Sequence, residues 1–426
     1  MQTATSSYQQ ETINCFTLNN GITLITVTNN SSDVIAGRIF IKNAGGRWET
    51  RTQAGLSHLV TSVITKGTKR LSAVDIAHQV ESLGASLGAD AASDYLIFSL
   101  KTVSSDFQEI LGLLAEIMRE PSFPPEEVEL EKHLTQQNIR AQQESPFNIA
   151  FSQLREAIYQ EHPYALSILG TETSVANLSL TDLQNYHQQY FRPDQLVISI
   201  SGRLEPETVK QWVEDSFGDW EIPQVTPSLL QLPQLTPKPE KRKIAQNTQQ
   251  AIVMLGYLTP GIKTPEYAAL KLLNTYLGNG LSSRLFVELR EKRGLAYDVS
   301  AFYPTRLDQS SFVVYMGTAP ENTLTAQEGL RTEVERLCNT ELTETELQIA
   351  KNKLLGQYAL GKQANGEIAQ IYGWYETLEL GISFDLDFQE QIKAVTPEEM
   401  QKVAQAYFIE PYISLVGPEE VLDNVD

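Results

Sequence analysis

Cysteine and histidine are both scarce in this 426-residue chain, which has two of the first and five of the second. Cys15 and Cys338 cannot build a disulfide framework, and neither has another cysteine or a histidine at zinc spacing. They read as ordinary thiols of a reducing compartment, which predicts a cytoplasmic protein. The histidines stand at 58, 78, 133, 162 and 187, and the nearest two are 20 residues apart. No H-x-x-x-H pair therefore exists, and the second half of the chain has no imidazole at all. Long apolar runs are also missing, since none approaches the roughly 18 residues that a spanning helix needs. The start, MQTATSSYQQETINCF, lacks a basic region and an apolar core, so neither a signal peptide nor an anchor is expected. Basic residues are outnumbered, 33 Lys and Arg against 53 Asp and Glu, for a formal charge of −20. That balance disfavours nucleic-acid and anionic-membrane partners unless the cations cluster on one face, and it favours basic substrates.

What is present is an ordinary globular mixture, 41% hydrophobic and 20% charged. The two halves repeat each other. Tyr190-Phe191-Arg192-Pro193 followed by Leu196 to Gly202 recurs as Tyr407-Phe408-Ile409-Glu410 followed by Tyr412 to Gly417. Each copy follows a capped amphipathic helix, Ser179 to Tyr190 and Thr396 to Tyr407. Upstream, Phe123 to Lys132 matches Leu342 to Lys351, and the offset stays near 217 residues throughout. Three landmarks in one order at nearly one offset indicate duplication.

The domain reading is therefore an N-terminal domain over 1–219, a proline-rich linker over 220–247 and a C-terminal domain over 248–426. Prolines 223, 227, 233, 237 and 239 and the basic run Lys238 to Lys243 mark the linker. Strand-like runs at 21–27, 38–41, 95–100, 251–257 and 311–316 come in pairs separated by long helices, without regular βαβ alternation. This predicts an α+β fold of two homologous domains, each a mostly antiparallel sheet with helices packed on one face.

Residues 54–68 read as a helix closed near Gly67, with Leu56, Leu59, Val60, Val63 and Ile64 on its apolar face. His58, Thr61 and Ser62 lie on its small polar stripe. The outline resembles the zinc helix of the pitrilysin and mitochondrial-processing-peptidase family, the inverzincins, whose motif is H-x-x-E-H. In that frame His58 is the first histidine, Thr61 replaces the catalytic glutamate and Ser62 replaces the second histidine. The chemistry needs two imidazoles at i and i+4 on one zinc, with a glutamate reaching the metal-bound water as general base. The family's third ligand, a glutamate on a later helix, falls near Asn138 on the helix Glu126 to Gln143. A neutral amide is a poor replacement, so no metal is expected in this chain. Without the resemblance, His58 is a hydrogen-bonded histidine on a half-buried helix, His133 lies on a solvated helix face and His162 in a loop.

A second segment, Leu277 to Tyr297, has Gly278 and Gly280 in a short loop, then a helix, then a tyrosine-led strand. It resembles the C-terminal-half signature of the same family, with Arg290 and Tyr297 at the spacing of that family's Arg/Tyr pair, seven residues apart. The resemblance implies that the pair reaches across a closed chamber to the substrate at a partner's zinc, where a guanidinium and a phenol can hold a carbonyl and its developing oxyanion. Read without it, Arg290 sits near a helix end at Gly294 among Glu288, Glu291, Lys292 and Arg293, where the helix dipole favours a cation. Tyr297 is then a plain strand residue. Gly278 and Gly280 do not belong to a phosphate loop, because no Gly-Lys-Ser/Thr follows. A helix start capped by Ser282 or Ser283 accounts for them.

The resemblance covers essentially the whole chain, from Gly21 to Gly417. It implies a non-catalytic, substrate-binding subunit of a heterodimeric zinc metallopeptidase that degrades or processes peptides. Its partner would be a homologous subunit carrying intact H-x-x-E-H and the zinc, with a homodimer as the alternative when the chain is alone. Peptides in this family add a strand to a sheet edge. Two other readings stand beside this one, a structural scaffold of the same fold and an independent metallopeptidase with unconventional ligands.

Overall fold

The computed structural model describes residues 12–224 and 230–423. Residues 1–11 of the stretch read for a targeting signal, and Pro227, lie outside the described residues. Six strands form the first sheet: β1 (Thr12–Thr17), β2 (Thr23–Thr28), β3 (Val34–Lys42), β4 (Ser86–Ala91), β5 (Tyr95–Val103) and β6 (Leu196–Gly202). Their order is β1-β2-β6-β3-β5-β4. Five form the second: β7 (Lys241–Ala245), β8 (Ala251–Thr259), β9 (Asp298–Phe302), β10 (Ser310–Thr318) and β11 (Tyr412–Gly417), in the order β7-β11-β8-β10-β9. With β1 set aside, the two orders superpose strand for strand. Only β2 with β6 and β7 with β11 pair in parallel, so both sheets are mostly antiparallel, as expected.

The helices of the first half are α1 (Leu56–Ile64), α2 (Ala73–Ser82), α3 (Phe107–Arg119), α4 (Pro125–Glu144), α5 (Pro146–Tyr159), α6 (Glu172–Asn177), α7 (Leu180–Tyr190) and α8 (Pro206–Phe217). The second half has α9 (Tyr267–Gly278), α10 (Thr323–Asn339), α11 (Glu344–Leu360), α12 (Asn365–Thr377), α13 (Phe384–Ala394), α14 (Pro397–Tyr407) and α15 (Glu419–Leu422). Local chemistry sets their starts. Ser179 and Asp182 form a reciprocal capping box at α7, and Thr396 with Glu399 does the same at α14. Pro125 occupies the first turn of α4, where its missing N–H costs nothing.

Alternation within the strands divides the core into layers. Leu24, Ile39, Ile41, Ile198 and Ile200 face α1, α3, α7 and α8 of their own half. Ile25, Val27, Phe40 and Val197 face the other way and meet Ile368, Tyr372 and Tyr375 of α12, which belongs to the second half. The second sheet mirrors this. Val253, Leu255 and Tyr257 pack on their own helices, whereas Ile252, Met254 and Leu258 meet Leu154 and Ile158 of α5 from the first half. Each half's own helices thus occupy one face of its sheet, and the opposite face takes a single helix from the other half. Every residue of β6 and β8 is buried as a result.

A glycine sets the approach at each crossing. A Cβ on Gly373 of α12 would lie 2.4 Å from the Phe40 ring, and one on Gly256 of β8 would lie 2.7 Å from Ile158 of α5. Asn365, at the start of α12, fastens the first crossing. Its amide donates to the Val34 carbonyl at 2.7 Å, and its oxygen accepts from Ser201 at 3.2 Å and Asn29 at 2.8 Å. Ser414 donates to Gln153 at 2.7 Å in the second crossing.

One local expectation changes. Lys241–Ala245, inside the stretch read as linker, is an edge strand paired with β11. Its lysines and arginine keep that edge charged, which discourages further pairing. His162 lies in the loop after α5, as expected, and is buried there. Its Nδ1 accepts from the Tyr164 N–H at 3.1 Å and its Nε2 lies 3.6 Å from Asp308 of the other half. His133 is exposed on α4 as expected, beside Gln137. No described helix is long and apolar enough to cross a membrane.

Two predictions follow from this packing. Gly373→Ala should destabilise the protein by about 1–3 kcal/mol through overpacking against Phe40, whereas Gly356→Ala, which meets open space on α11, should stabilise it by up to about 1 kcal/mol. Denaturant unfolding of the two variants measures both. His187 is the second case. Burial pushes its imidazole below the ordinary value, and the hydrogen bond to the Met118 carbonyl at 2.7 Å opposes this. The unfolded chain therefore binds the proton more readily, so this contribution to stability is complete above about pH 6.5 and declines below it. Between pH 7 and 5, His187→Asn should lose less stability than the parent protein; an equal loss would show that His187 does not contribute to the slope.

Candidate functional site

Helix α1 begins without a capping side chain at Gly55, whose φ of 94° places it in the left-handed region that glycine tolerates. The cap comes from Glu49, which is buried and accepts from the Gly55 N–H at 2.9 Å and the Ser57 N–H at 2.6 Å. Burial raises the Glu49 carboxyl, and those hydrogen bonds and the helix N-terminus hold it back towards the charged form. Glu49 was not recognisable in the sequence as a cap, because it stands outside the usual N-cap position, six residues before Gly55.

The polar stripe of α1 is occupied with its own backbone. Thr61 is buried, and its hydroxyl donates to the carbonyls of Ser57 at 3.1 Å and His58 at 2.9 Å. The Ser62 hydroxyl donates to the His58 carbonyl at 2.9 Å. Burial lowers the His58 imidazole, with Glu131 of α4 and Asp90 of β4 pulling it back up. Glu131 is itself paired with Lys66 at 3.0 Å. Asn138, one face and seven residues further along α4, is exposed, and no hydrogen bond among the described residues joins it to His58, Thr61 or Ser62.

These residues do not fit zinc. The site offers one half-buried imidazole, two neutral hydroxyls and a distant amide, and a zinc site needs three or four nitrogen, sulfur or carboxylate donors. Among the described residues no cluster of three or more His, Cys, Asp or Glu side chains could hold a metal.

The segment carrying Arg290 and Tyr297 lies in the second half between α9, which follows β8 as α1 follows β3, and β9, the counterpart of β4. Gly278 ends α9 against β9; a Cβ there would fall 1.9 Å from the Ala301 nitrogen, and Ser300 donates to the Gly278 carbonyl at 2.7 Å. Gly280 has φ of 76°. Both glycines therefore serve backbone geometry. The following helix starts on the Ser283 carbonyl, which accepts from Val287 at 3.0 Å. Neither serine caps it with a side chain as expected: the buried Ser283 hydroxyl has no partner among the described residues.

That helix is not an ordinary α-helix. Phe286–Glu291 forms a π-helical turn, seen in the Lys292 N–H bond to the Val287 carbonyl at 3.1 Å. Such wide turns recur at functional sites. Arg290 lies on it, exposed, with its guanidinium 5.0 Å from the Phe286 ring. The surrounding charges pair with one another: Glu288 with Lys292 at 2.8 Å and Arg284 at 3.0 Å, and Glu333 with Arg284 at 2.8 Å. Arg290 has no carboxylate partner among the described residues. Tyr297 is 56% exposed, and its N–H bonds to Gly317 of β10 at 2.8 Å, just before the edge strand β9. Two unengaged donors therefore stand in solvent beside a sheet edge.

A duplicated α+β chain with His58, Thr61 and Ser62 at the spacing of H-x-x-E-H on a helix of one half, and Arg290 and Tyr297 exposed in the other, is laid out like a zinc metallopeptidase. The family models agree. Residues 24–172 match Insulinase (Peptidase family M16) and residues 177–354 match the Peptidase M16 inactive domain. The chain belongs to the M16 peptidase family and is zinc-protease-like. It is 27% identical to an uncharacterized zinc protease of Bacillus subtilis strain 168, over 95% of this chain and 98% of that one. It is also 27% identical to an uncharacterized zinc protease of Streptomyces coelicolor, over 96% and 90%. The fold is similar to a crystal structure of a peptidase M16 inactive domain from Pseudomonas fluorescens, with a TM-score of 0.88, 24% identity and coverage of 95% and 98%. It is likewise similar to a protease from Helicobacter pylori, with a TM-score of 0.89, 23% identity and coverage of 96% and 100%.

If the donor set is as poor as its chemistry indicates, the purified chain should carry well under one zinc per molecule after dialysis, and His58→Ala should leave that content unchanged. Stoichiometric zinc lost on His58→Ala, measured by elemental analysis, would reveal a ligand set.

Proposed function

We propose that this chain is the non-catalytic, substrate-binding subunit of a two-subunit zinc peptidase, and that it completes an active site whose zinc and H-x-x-E-H helix belong to a homologous partner. The observation that carries this reading is the contrast between helix α1 and the segment of the second half that carries Arg290 and Tyr297. On α1, Thr61 and Ser62 have turned their hydroxyls to the helix backbone, so the chain cannot activate water by itself. In the second half, Arg290 and Tyr297 remain exposed without carboxylate or side-chain hydrogen-bond partners among the described residues.

A guanidinium and a phenol so placed can hold the carbonyl of the scissile peptide and stabilise the oxyanion that forms on it, while the partner's metal and glutamate supply the attacking water. The open edges at β4 and β9 offer backbone N–H and C=O groups to an extended peptide, a mode that reads main chain and tolerates many sequences. The acidic balance of −20 favours basic peptides. A scaffold of the same fold would have no use for the exposed pair.

The test is to assay the chain alone, and with a candidate H-x-x-E-H homologue, for zinc and peptide cleavage. Cleavage is expected only in the complex. There, Arg290→Ala and Tyr297→Phe should each slow it by about 10²-fold while changing stability by no more than about 0.5 kcal/mol, because both side chains are exposed. A complex that stays fully active in both variants would remove the assigned role, and cleavage by the chain alone would remove the whole reading.

A further inference from the structure

We propose that the cavity between α4, α5 and β7 binds the terminal carboxylate of a short peptide, with Arg155 as its anion anchor. The cavity has a volume of about 400 Å³ and lies where the helix exchanged from the first half meets the edge of the second sheet. Arg155 projects into it from α5. Its Nε donates to the Ala165 carbonyl at 3.1 Å, and its guanidinium carbon lies 5.6 Å from the Phe151 ring centre. Those contacts fix the plane of the group and leave its terminal nitrogens without a hydrogen-bond partner among the described residues.

No described carboxylate lies within ion-pair distance of Arg155. Its neighbour Glu156 is exposed, with its oxygen 4.0 Å from Arg242. The other two arginines of the cavity are already engaged, Arg51 with Glu161 at 3.3 Å and Arg242 with Glu240 at 2.6 Å. Burial lowers the affinity of the Arg155 guanidinium for its proton, and the charge of the neighbouring Glu156 opposes this. In a chain with 20 more acidic than basic residues, a half-buried arginine with no acid in ion-pair contact is a costly arrangement unless a ligand brings the charge.

The rest of the lining defines that ligand. A guanidinium with two free terminal nitrogens matches the two oxygens of a carboxylate. Gln142, Gln143 and Asn148 supply amides, which can both donate to and accept from a peptide group, and Ile139 and Ile149 supply apolar wall. The volume falls at the lower end of the about 300–1,000 Å³ typical of small-ligand sites, enough for about two or three small residues. The site is complete within this chain and does not rest on the role given to Arg290 and Tyr297.

Calorimetric titration of the full chain with Ala-Ala-Ala, with its C-terminal amide and with inorganic phosphate tests the assignment. The free acid should bind, and the amide should bind about 10- to 100-fold more weakly, the range of a charge-assisted bidentate pair. Arg155→Gln should weaken the free acid by the same factor, and Arg155→Lys by less. Equal binding of acid and amide, no binding of either, or binding of phosphate without the tripeptide would each overturn it. The acid-to-amide comparison on the unmodified chain decides the matter even if Arg155→Gln fails to fold.

Discussion

The reciprocal exchange of α5 and α12 is the contact on which the rest of the molecule depends. Each sheet presents two apolar faces, and each half has helices enough to cover only one of them. Burying a large apolar side chain is worth about 1.5–3 kcal/mol, so the Ile368, Tyr372 and Tyr375 set on one crossing and the Leu154 and Ile158 set on the other are large terms against a net stability of about 5–15 kcal/mol. Neither half is therefore a self-sufficient folding unit in the usual sense, even though each has its own sheet and its own helical layer. The glycines at the crossings show how closely the two surfaces are fitted: one is on the helix and the other on the strand, so duplicated architecture has reached similar contacts by different residues.

That frame holds one position in each half in a fixed relation to a sheet edge. In the first half the position is held by α1, with Glu49 still supporting its N-terminus although the residues that would use the helix for metal chemistry are missing. In the second half the position carries a glycine turn and a π-helical turn, which follow α9 as α2 follows α1, and Arg290 stays out of the surrounding charge pairs. Helix α1 is a structural member in its own right. Leu56, Leu59, Val60, Val63 and Ile64 all belong to the core of the first sheet.

Much of this was legible in the residues. Capping at Ser179 and Thr396, strand-like runs such as 95–100 and 251–257, and the matched landmarks near an offset of 217 announced two similar α+β halves. The loss of H-x-x-E-H was also legible, since it is a statement about residue types at fixed spacing. What lay beyond reach depends on long-range contact. A fully apolar strand such as β8 shows that both faces are covered but not that one cover comes from 100 residues upstream. The strand at 241–245 was hidden because its Lys and Arg residues suit an edge and carry no apolar period. His162 was legible as a loop residue, but nothing nearby in sequence reveals its burial against Asp308, and Arg155 looked like any helical arginine because the cavity it enters is built from distant segments.

The exchanged helices also set the order in which the protein can be completed as it is synthesised. The last strand of the first sheet, β6, ends at Gly202, but the helix that covers Ile25, Val27, Phe40 and Val197 ends only at Thr377. At about 5–20 residues per second, those apolar side chains wait some 10 to 35 s, uncovered, while the intervening chain emerges from the ribosome. During that interval the nascent first half presents a sticky sheet face to its surroundings, and a holdase or a neighbouring nascent copy can occupy it before α12 arrives.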